Sequence, residues 1–286
     1  MLGVIGGSGL YDLPGIENVE AVQPQTPFGS PSASITMGTL NGHDICFIPR
    51  HGRGHTLNPS EIPFRANVFA LKSLGVTQLL SVSAVGSLRD HLEPGTMVLP
   101  DQIIDRTVGR DRTFFEGGVV GHVGLADPFC ASFQRHIQHA ASRIQQPLER
   151  GGTYICIEGP QFSTRAESQL YRSWNADIIG MTAMPEARLV REAGICYAIV
   201  ATVSDYDVWH ESEEDVSIEV VLRVLAANVE RGKSLVVELA GTDLPTCESD
   251  CAAAPANAIT THRDAIPEDR RDLIELLTSR VQGPAT

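Results

Sequence analysis

Residues 185–203 read PEARLVREAGICYAIVATV. The stretch is a helical run over 185–193 followed by a long apolar strand over 195–203, and a further helical pattern runs from Val216 towards Leu239. Helix, buried strand and helix in succession are the mark of an α/β sheet covered by helices. Working back from this stretch, the alternation continues. Strand-like runs at 34–37 and 45–48 precede a helix over about 60–74, whose Phe64, Val68 and Leu71 share one face and which Gly75 stops. Then come a strand over 78–83, the apolar 97–99, a helix around 129–141, a strand over 153–157, a helix around 165–174 and the apolar 177–179. Further on the character changes. Residues 241–261 are rich in Ala, Pro and Thr with little periodicity, which predicts a linker. Residues 269–281 predict a peripheral helix with Leu273, Leu276 and Leu277 on one side.

Composition sets the outer bounds. The chain has 286 residues, 42% hydrophobic and 20% charged, enough to bury a large core and too apolar for disorder. Its formal charge of −13 argues against a nucleic-acid partner, which would be held through released counterions on a basic face. No run approaches the roughly 20 apolar residues of a membrane helix, and the opening 1–5 is strand-like, so no membrane contact and a cytoplasmic location are expected. Six cysteines are too sparse for a disulfide framework, so free thiols are the default. Cys46, Cys130, Cys156 and Cys196 sit in apolar runs as small hydrophobes. Cys247 and Cys251 form a CxxxC pair without a second pair at zinc-finger spacing, so no metal is expected, and the two can instead pair with each other.

Five segments carry side chains or backbone suited to chemistry. Gly6-Gly7-Ser8-Gly9 follows the first strand, where glycines open the backbone N–H groups to an anion and Ser8 adds a hydroxyl; a plain tight turn is the competing reading. Arg50-His51-Gly52-Arg53-Gly54-His55 follows a strand, the place where α/β proteins hold ligands. Arg50 there is suited to grip two phosphate oxygens, with His51 donating a charge-assisted hydrogen bond. The segment 81–88, SVSAVGSL, carries another strand into a small-residue turn able to meet the same anion. In 158–165, EGPQFSTR, Phe162 sits in a Gly-Pro turn, available to stack on a planar base or else to pack in the core. Ser204-Asp205-Tyr206-Asp207 ends the long strand. Two carboxylates one residue apart project the same way while the backbone stays extended, and their repulsion in a desolvated pocket raises at least one pKa, which makes a proton donor near neutral pH.

These segments, with Thr26-Pro27-Phe28-Gly29, Glu158-Gly159-Pro160, Met181-Thr182, Pro185-Glu186 and 192–198 in the same order, resemble the methylthioadenosine branch of the purine nucleoside phosphorylase family over about residues 1–240. The resemblance implies a nucleoside phosphorylase-like fold, a single-domain mixed β-sheet covered by helices, with 241–286 as linker and C-terminal helix. It implies that phosphate displaces adenine from 5′-deoxy-5′-methylthioadenosine to give 5-methylthioribose 1-phosphate, with no cofactor or metal and with phosphate as co-substrate. By the same match Ser8, Arg50, His51, Ser83, Ala84 and Thr182 would hold phosphate. Met181 would meet the ribose and Phe162 would stack on the base. Asp205, as acid, and Asp207 would face the purine N7 and N6 edge, and Ser163 would bear on substrate choice. Ile218, Val221 and Leu222, one apolar stripe by their spacing, would wall the 5′ group, and His122 would come from the neighbouring subunit of a homotrimer. Ser8 and Ser83 stand where threonine is frequent, and Gln161 stands where arginine also occurs. The competing readings are a phosphorylase of 6-oxopurine nucleosides, a hydrolytic nucleosidase and a non-catalytic nucleoside-binding module.

Overall fold

Two long strands, Gln78–Ser87 and Cys196–Tyr206, run parallel over ten pairs, with one register shift near their end, at the centre of one mixed sheet. The computed structural model describes residues 1–7, 13–210 and 218–279, with the backbone alone for 218–222. Among these the elements are, in chain order, β1 (Leu2–Gly6), β2 (Glu17–Val22), β3 (Ile35–Leu40), β4 (His43–Pro49), α1 (Phe64–Ser73) and β5 (Gln78–Ser87). There follow β6 (Met97–Leu99), β7 (Gln102–Arg106), α2 (Ala131–Arg143), β8 (Glu149–Arg150), β9 (Thr153–Ile157) and α3 (Arg165–Ser173). Last come β10 (Ile178–Gly180), α4 (Ala183–Glu192), β11 (Cys196–Tyr206), α5 (Ile218–Ala240), α6 (Ala254–Ala258) and α7 (Glu268–Thr278). The sheet order is β2-β3-β4-β1-β5-β10-β9-β7, with β11 on the other edge of β5 and β6 and β8 beyond it.

The first eight residues of β11 are all buried, as expected of a strand covered on both faces. The alternation of its side chains divides the core into two layers. Tyr197, Ile199, Ala201 and Val203 pack with Phe64, Val68 and Leu71 of α1 and with Leu189 and Val190 of α4. Cys196, Ala198 and Val200 pack with Phe133 and Ile137 of α2 and with Leu235, Val236 and Leu239 of α5. Each such aliphatic side chain contributes about 1.5–3 kcal/mol by leaving water. The α/β fold class is therefore as expected, with strands missed where the pattern is weak: β2 is exposed along almost its whole length and has no apolar alternation.

The sheet opens at one place. On one edge of β5, β1 pairs in parallel up to Val82, whereas β10 pairs in the antiparallel sense only at Gly86 and Ser87. Residues 83–85 face a gap between these two neighbours, and the site forms there.

The stretch expected as a linker is not one. Cys251 and Ala258 are buried, the Gln78 side-chain amide donates to the Pro245 carbonyl at 2.7 Å, and the Glu248 N–H donates to Ser132 Oγ at 3.1 Å. Its apolar residues are too few to show a period, yet they fill gaps that α2 and α4 leave. In α7, Leu273, Ile274 and Leu277 are buried in the α1/α4 layer, and Lys72 Nζ donates to the Ser279 carbonyl at 3.0 Å, so this helix completes the core and is not peripheral.

Candidate functional site

A cavity of about 870 Å³ occupies the sheet opening. Arg50, His51, Ser83, Ala84, Phe162, Ser163, Met181, Thr182, Asp205 and Asp207 all line it, together with Gly7. The Val82 carbonyl on β5 accepts from Arg50 Nη1 at 3.3 Å and so faces the opening. The Ser83 and Val85 carbonyls accept from the Thr202 and Ser204 hydroxyls of β11 on the other edge. Because peptide groups alternate along a strand, the Ala84 N–H points into the opening like its neighbour two residues back.

Arg50 is held differently from the sequence expectation. It is 1% exposed, and its Nε donates to Glu186 Oε2 at 2.9 Å while Nη2 donates to Ser81 Oγ at 2.6 Å, the Ile5 carbonyl at 3.2 Å and Glu186 Oε1 at 3.4 Å. The forked edge suited to two phosphate oxygens is thus committed to a buried carboxylate. Among the contacts with described residues, one Nη1 N–H remains for the cavity. Burial works against the Arg50 charge, but Glu186 outweighs it and holds the guanidinium pKa above its ordinary value. Glu186, fully buried and also accepting from the Tyr197 hydroxyl at 2.6 Å, is a site residue whose role sequence reasoning missed.

The expectation for His51 also changes. Its Nδ1 lies 2.9 Å from the Leu57 carbonyl, and its ring stacks on His55 at 4.3 Å between centroids. Burial, then the Arg50 charge, pushes its pKa down to about 4. The ring is neutral at pH 7, and a carbonyl partner requires the proton on Nδ1, so Nε2 is an acceptor. It suits a protonated phosphate oxygen and is not the cationic donor read from the sequence.

The carboxylate pair owes its position to a bulge. Val203 pairs with Val85 and Asp205 with Gly86, so one extra residue, Ser204, is inserted in β11. Val85 and Gly86 point to opposite faces, hence so do Val203 and Asp205, although they are two apart in sequence. Val203 enters the core and Asp205 turns to the cavity. A Cβ at Gly86 would stand 3.1 Å from Ile179 Cγ2 and 3.3 Å from Asp205 Oδ1, which explains a glycine beneath the carboxylates. Burial raises the Asp205 pKa against a 2.6 Å hydrogen bond from Ser204, and the Asp207 charge raises it further. Asp207 is buried, and its Oδ2 accepts no hydrogen bond from the described residues.

Phe162 resolves in favour of the cavity rim: it is 81% exposed and so is no core ring. Its turn is pinned on both sides. After it, Thr164 and Glu167 form a reciprocal cap on α3, with the Glu167 N–H on Thr164 Oγ1 at 3.2 Å and the Thr164 N–H on Glu167 Oε2 at 2.7 Å. Before it, Glu158 accepts from Ser60 Oγ and the Val108 N–H at 2.5 and 2.6 Å. Burial works to raise the Glu158 carboxyl, yet these bonds and Arg110 prevail and hold its pKa down at about 2. Arg110 also donates to the Met181 and Met184 carbonyls at 2.7 and 2.6 Å, which ties the Glu158 turn to the Met181-Thr182 segment. The buried Ser163 Oγ has no hydrogen-bond partner among the described residues and faces the cavity.

Ser8 and the side chains of Ile218, Val221 and Leu222 lie outside the described residues. Among the described residues of α5, Leu225, Asn228 and Val229 line the cavity, at the same helical spacing as the expected stripe. They were not read from the sequence because a stripe that turns from core to cavity keeps one period. His122 is exposed and does not line its own chain's cavity, and its N–H donates to the Ala258 carbonyl at 2.9 Å. One group among the described residues has the donor set for a metal ion: Cys130, Cys196, Cys247 and Cys251, with all four sulfurs within 4.8 Å of one another. The sequence offered the Cys247 and Cys251 pair alone, and the fold brings Cys130 and Cys196 beside it. The group is at the far end of β11 from Asp205.

Residues 1–240 match the family model of the phosphorylase superfamily. The chain is 48% identical over 278 residues to the S-methyl-5′-thioadenosine phosphorylase of Geobacter sulfurreducens, covering 97% of each chain. Among solved structures it is similar to a methylthioadenosine phosphorylase from an antarctic soil metagenomic library, with a TM-score of 0.91 and 43% identity over 96% of this chain and 98% of that one. It is also similar to the methylthioadenosine phosphorylase of Schistosoma mansoni in complex with adenine, with a TM-score of 0.83 and 34% identity over 91% of this chain and 98% of that one.

Proposed function

The chain belongs to the phosphorylase superfamily, and from that premise we propose the reaction of its cavity: phosphorolysis of 5′-deoxy-5′-methylthioadenosine to adenine and 5-methylthioribose 1-phosphate. The enzyme is a pentosyltransferase of the purine nucleoside phosphorylase type. The observation that carries the reading is the join of two chemistries in one cavity, an anion-suited sheet opening at Arg50, His51 and Ala84 and a buried carboxylate pair at Asp205 and Asp207.

Breaking the N-glycosidic bond leaves cationic character on the ribose and negative charge on the departing base. In the proposed arrangement phosphate lies at the sheet opening, held by the Ala84 N–H, the Ser83 and Thr182 hydroxyls, Ser8 and the remaining Arg50 N–H, with His51 Nε2 accepting a hydrogen bond from its protonated oxygen. Its negative charge then lies against the developing ribosyl cation. Asp205, whose acid form burial favours, gives its proton to N7, and Asp207 accepts from the exocyclic amine. Phe162 covers the base, Ser163 adds a hydroxyl at its edge, and Met181 packs on the ribose. The Ile218, Val221 and Leu222 stripe, extended by Leu225 and Val229, excludes water from the methylthio group. A 5′-hydroxyl buried there without a partner costs about 1–3 kcal/mol.

Every step is taken by these side chains and by phosphate as co-substrate, with no organic cofactor. Residues 1–240 are the catalytic unit and the remaining chain is docked on it. The active assembly is a homotrimer, in which His122 of the partner subunit closes the 5′ end; its exposure outside its own chain's cavity supports this. The enzyme acts in the cytoplasm. Among the described residues no helix is long and apolar enough to cross a membrane.

The deciding assay is adenine release from methylthioadenosine with and without phosphate. Turnover is expected only with phosphate, and equal rates in its absence would mean hydrolysis. A second experiment addresses base choice. Asp207 as a carboxylate only accepts, so it suits a 6-amino group and repels a 6-oxo group, whereas an amide can donate. Asp207→Asn is expected to shift the ratio of kcat/KM for adenosine-type over inosine-type substrates towards inosine by about tenfold or more, the worth of one hydrogen bond to a charged group. An unchanged ratio would remove Asp207 from the base edge.

A further inference from the structure

From the four-cysteine cluster we infer a second, structural site, a tetrathiolate centre for a zinc ion built from Cys130, Cys196, Cys247 and Cys251. The four Sγ atoms lie within 4.8 Å of one another, and Cys130 Sγ and Cys247 Sγ are 3.8 Å apart. A zinc ion with bonds of about 2.3 Å to sulfur needs tetrahedral edges of about 3.8 Å. The cluster thus has the ligand count and nearly the dimensions, and inward shifts of an ångström or less complete it. A disulfide needs only two sulfurs, brought to about 2.05 Å, and gives no reason for four to converge on one point.

The surroundings suit a thiolate-rich centre. The Cys251 N–H donates to Cys247 Sγ at 3.4 Å and Arg191 Nη1 donates to Cys251 Sγ at 3.3 Å, contacts that offset the net negative charge of four thiolates on one dication.

The position assigns the role. Cys130 precedes α2, Cys196 opens β11, and Cys247 and Cys251 belong to the segment after α5. A metal here staples residues 241–258 to the sheet. Nine residues of strand put it roughly 30 Å from Asp205, too far to touch the reaction.

The test uses the full chain purified under reducing conditions with zinc present, its metal measured by plasma mass spectrometry. One equivalent of zinc per chain is expected, released by a mercurial thiol reagent, and the cobalt-substituted chain should show intense sulfur-to-cobalt charge-transfer absorption. Cys247→Ser and Cys251→Ser should each lose the metal and unfold at lower temperature, with turnover of the folded enzyme in the cold unchanged; Cys46→Ala, in β4, should keep the full equivalent. The cobalt spectrum of the unsubstituted chain decides the matter even where a variant fails to fold. Less than a tenth of an equivalent bound by the reduced chain in excess zinc would overturn the site. So would recovery of the four cysteines as two disulfides from freshly isolated, alkylated protein.

Discussion

Asp205→Asn is expected to lower kcat for methylthioadenosine phosphorolysis by about 10²–10⁴-fold, the usual contribution of a positioned general acid, and to leave the phosphate KM nearly unchanged. Asparagine keeps the shape and the hydrogen bond to Ser204 but has no proton to give. The pH profile separates this from a structural effect. The acid form of Asp205 is the competent one, and burial together with Asp207 raises its pKa, so the unsubstituted enzyme should lose kcat as pH rises through that raised value. The Asn variant should lack this alkaline limb. Substrates whose leaving group needs no protonation should recover most of the loss. An Asn variant with full activity, or one with an unaltered alkaline limb, would assign the proton to another group.

The second large effect concerns Arg50 and Glu186. Arg50→Met leaves the Glu186 carboxylate fully buried with the Tyr197 hydroxyl as its remaining side-chain partner among the described residues. A buried ion pair that loses one member is destabilised by about 3–5 kcal/mol, mostly through the uncompensated charge. Urea unfolding of Arg50→Met should show that loss, and Glu186→Leu should show a similar one because it strands the guanidinium. The double substitution removes both charges and should regain more than half of the loss, while the phosphate KM stays raised by about tenfold or more through the missing Arg50 N–H. This pattern separates support from binding. If Arg50→Met unfolds at the same urea concentration as the parent, the ion pair is not a supporting element. If the double variant binds phosphate normally, Arg50 is not a ligand.

Most of the architecture was legible because local periodicity reports it. In β11 an apolar run bounded by helical patterns can only be a strand buried on both faces, and its carboxylates follow as the polar tip of a buried element. The Gly-Pro turn around Phe162 was legible for the same local reason. The donor roles of Arg50 and His51 were misread. A sequence shows that a guanidinium and an imidazole stand after β4, but not that Glu186, 136 residues away, takes the fork of the first. Nor does it show that the Leu57 carbonyl fixes the tautomer of the second.

The sequence by itself determined most of the secondary structure, the α/β class and the kinds of side chain that meet at the end of β5 and β11, since each of these depends on patterns a few residues long. Beyond the partners of Arg50 and His51, tertiary structure alone decided three things. It set the inserted Ser204 that turns Asp205 out of the core, because a bulge is defined by the partner strand. It docked the segment after α5, whose scattered apolar residues have no period but fit spaces left by other elements. It brought Cys247 and Cys251 to Cys130 and Cys196, because a donor set assembled from three places in the chain has no spacing to read and exists only once the backbone has closed around it.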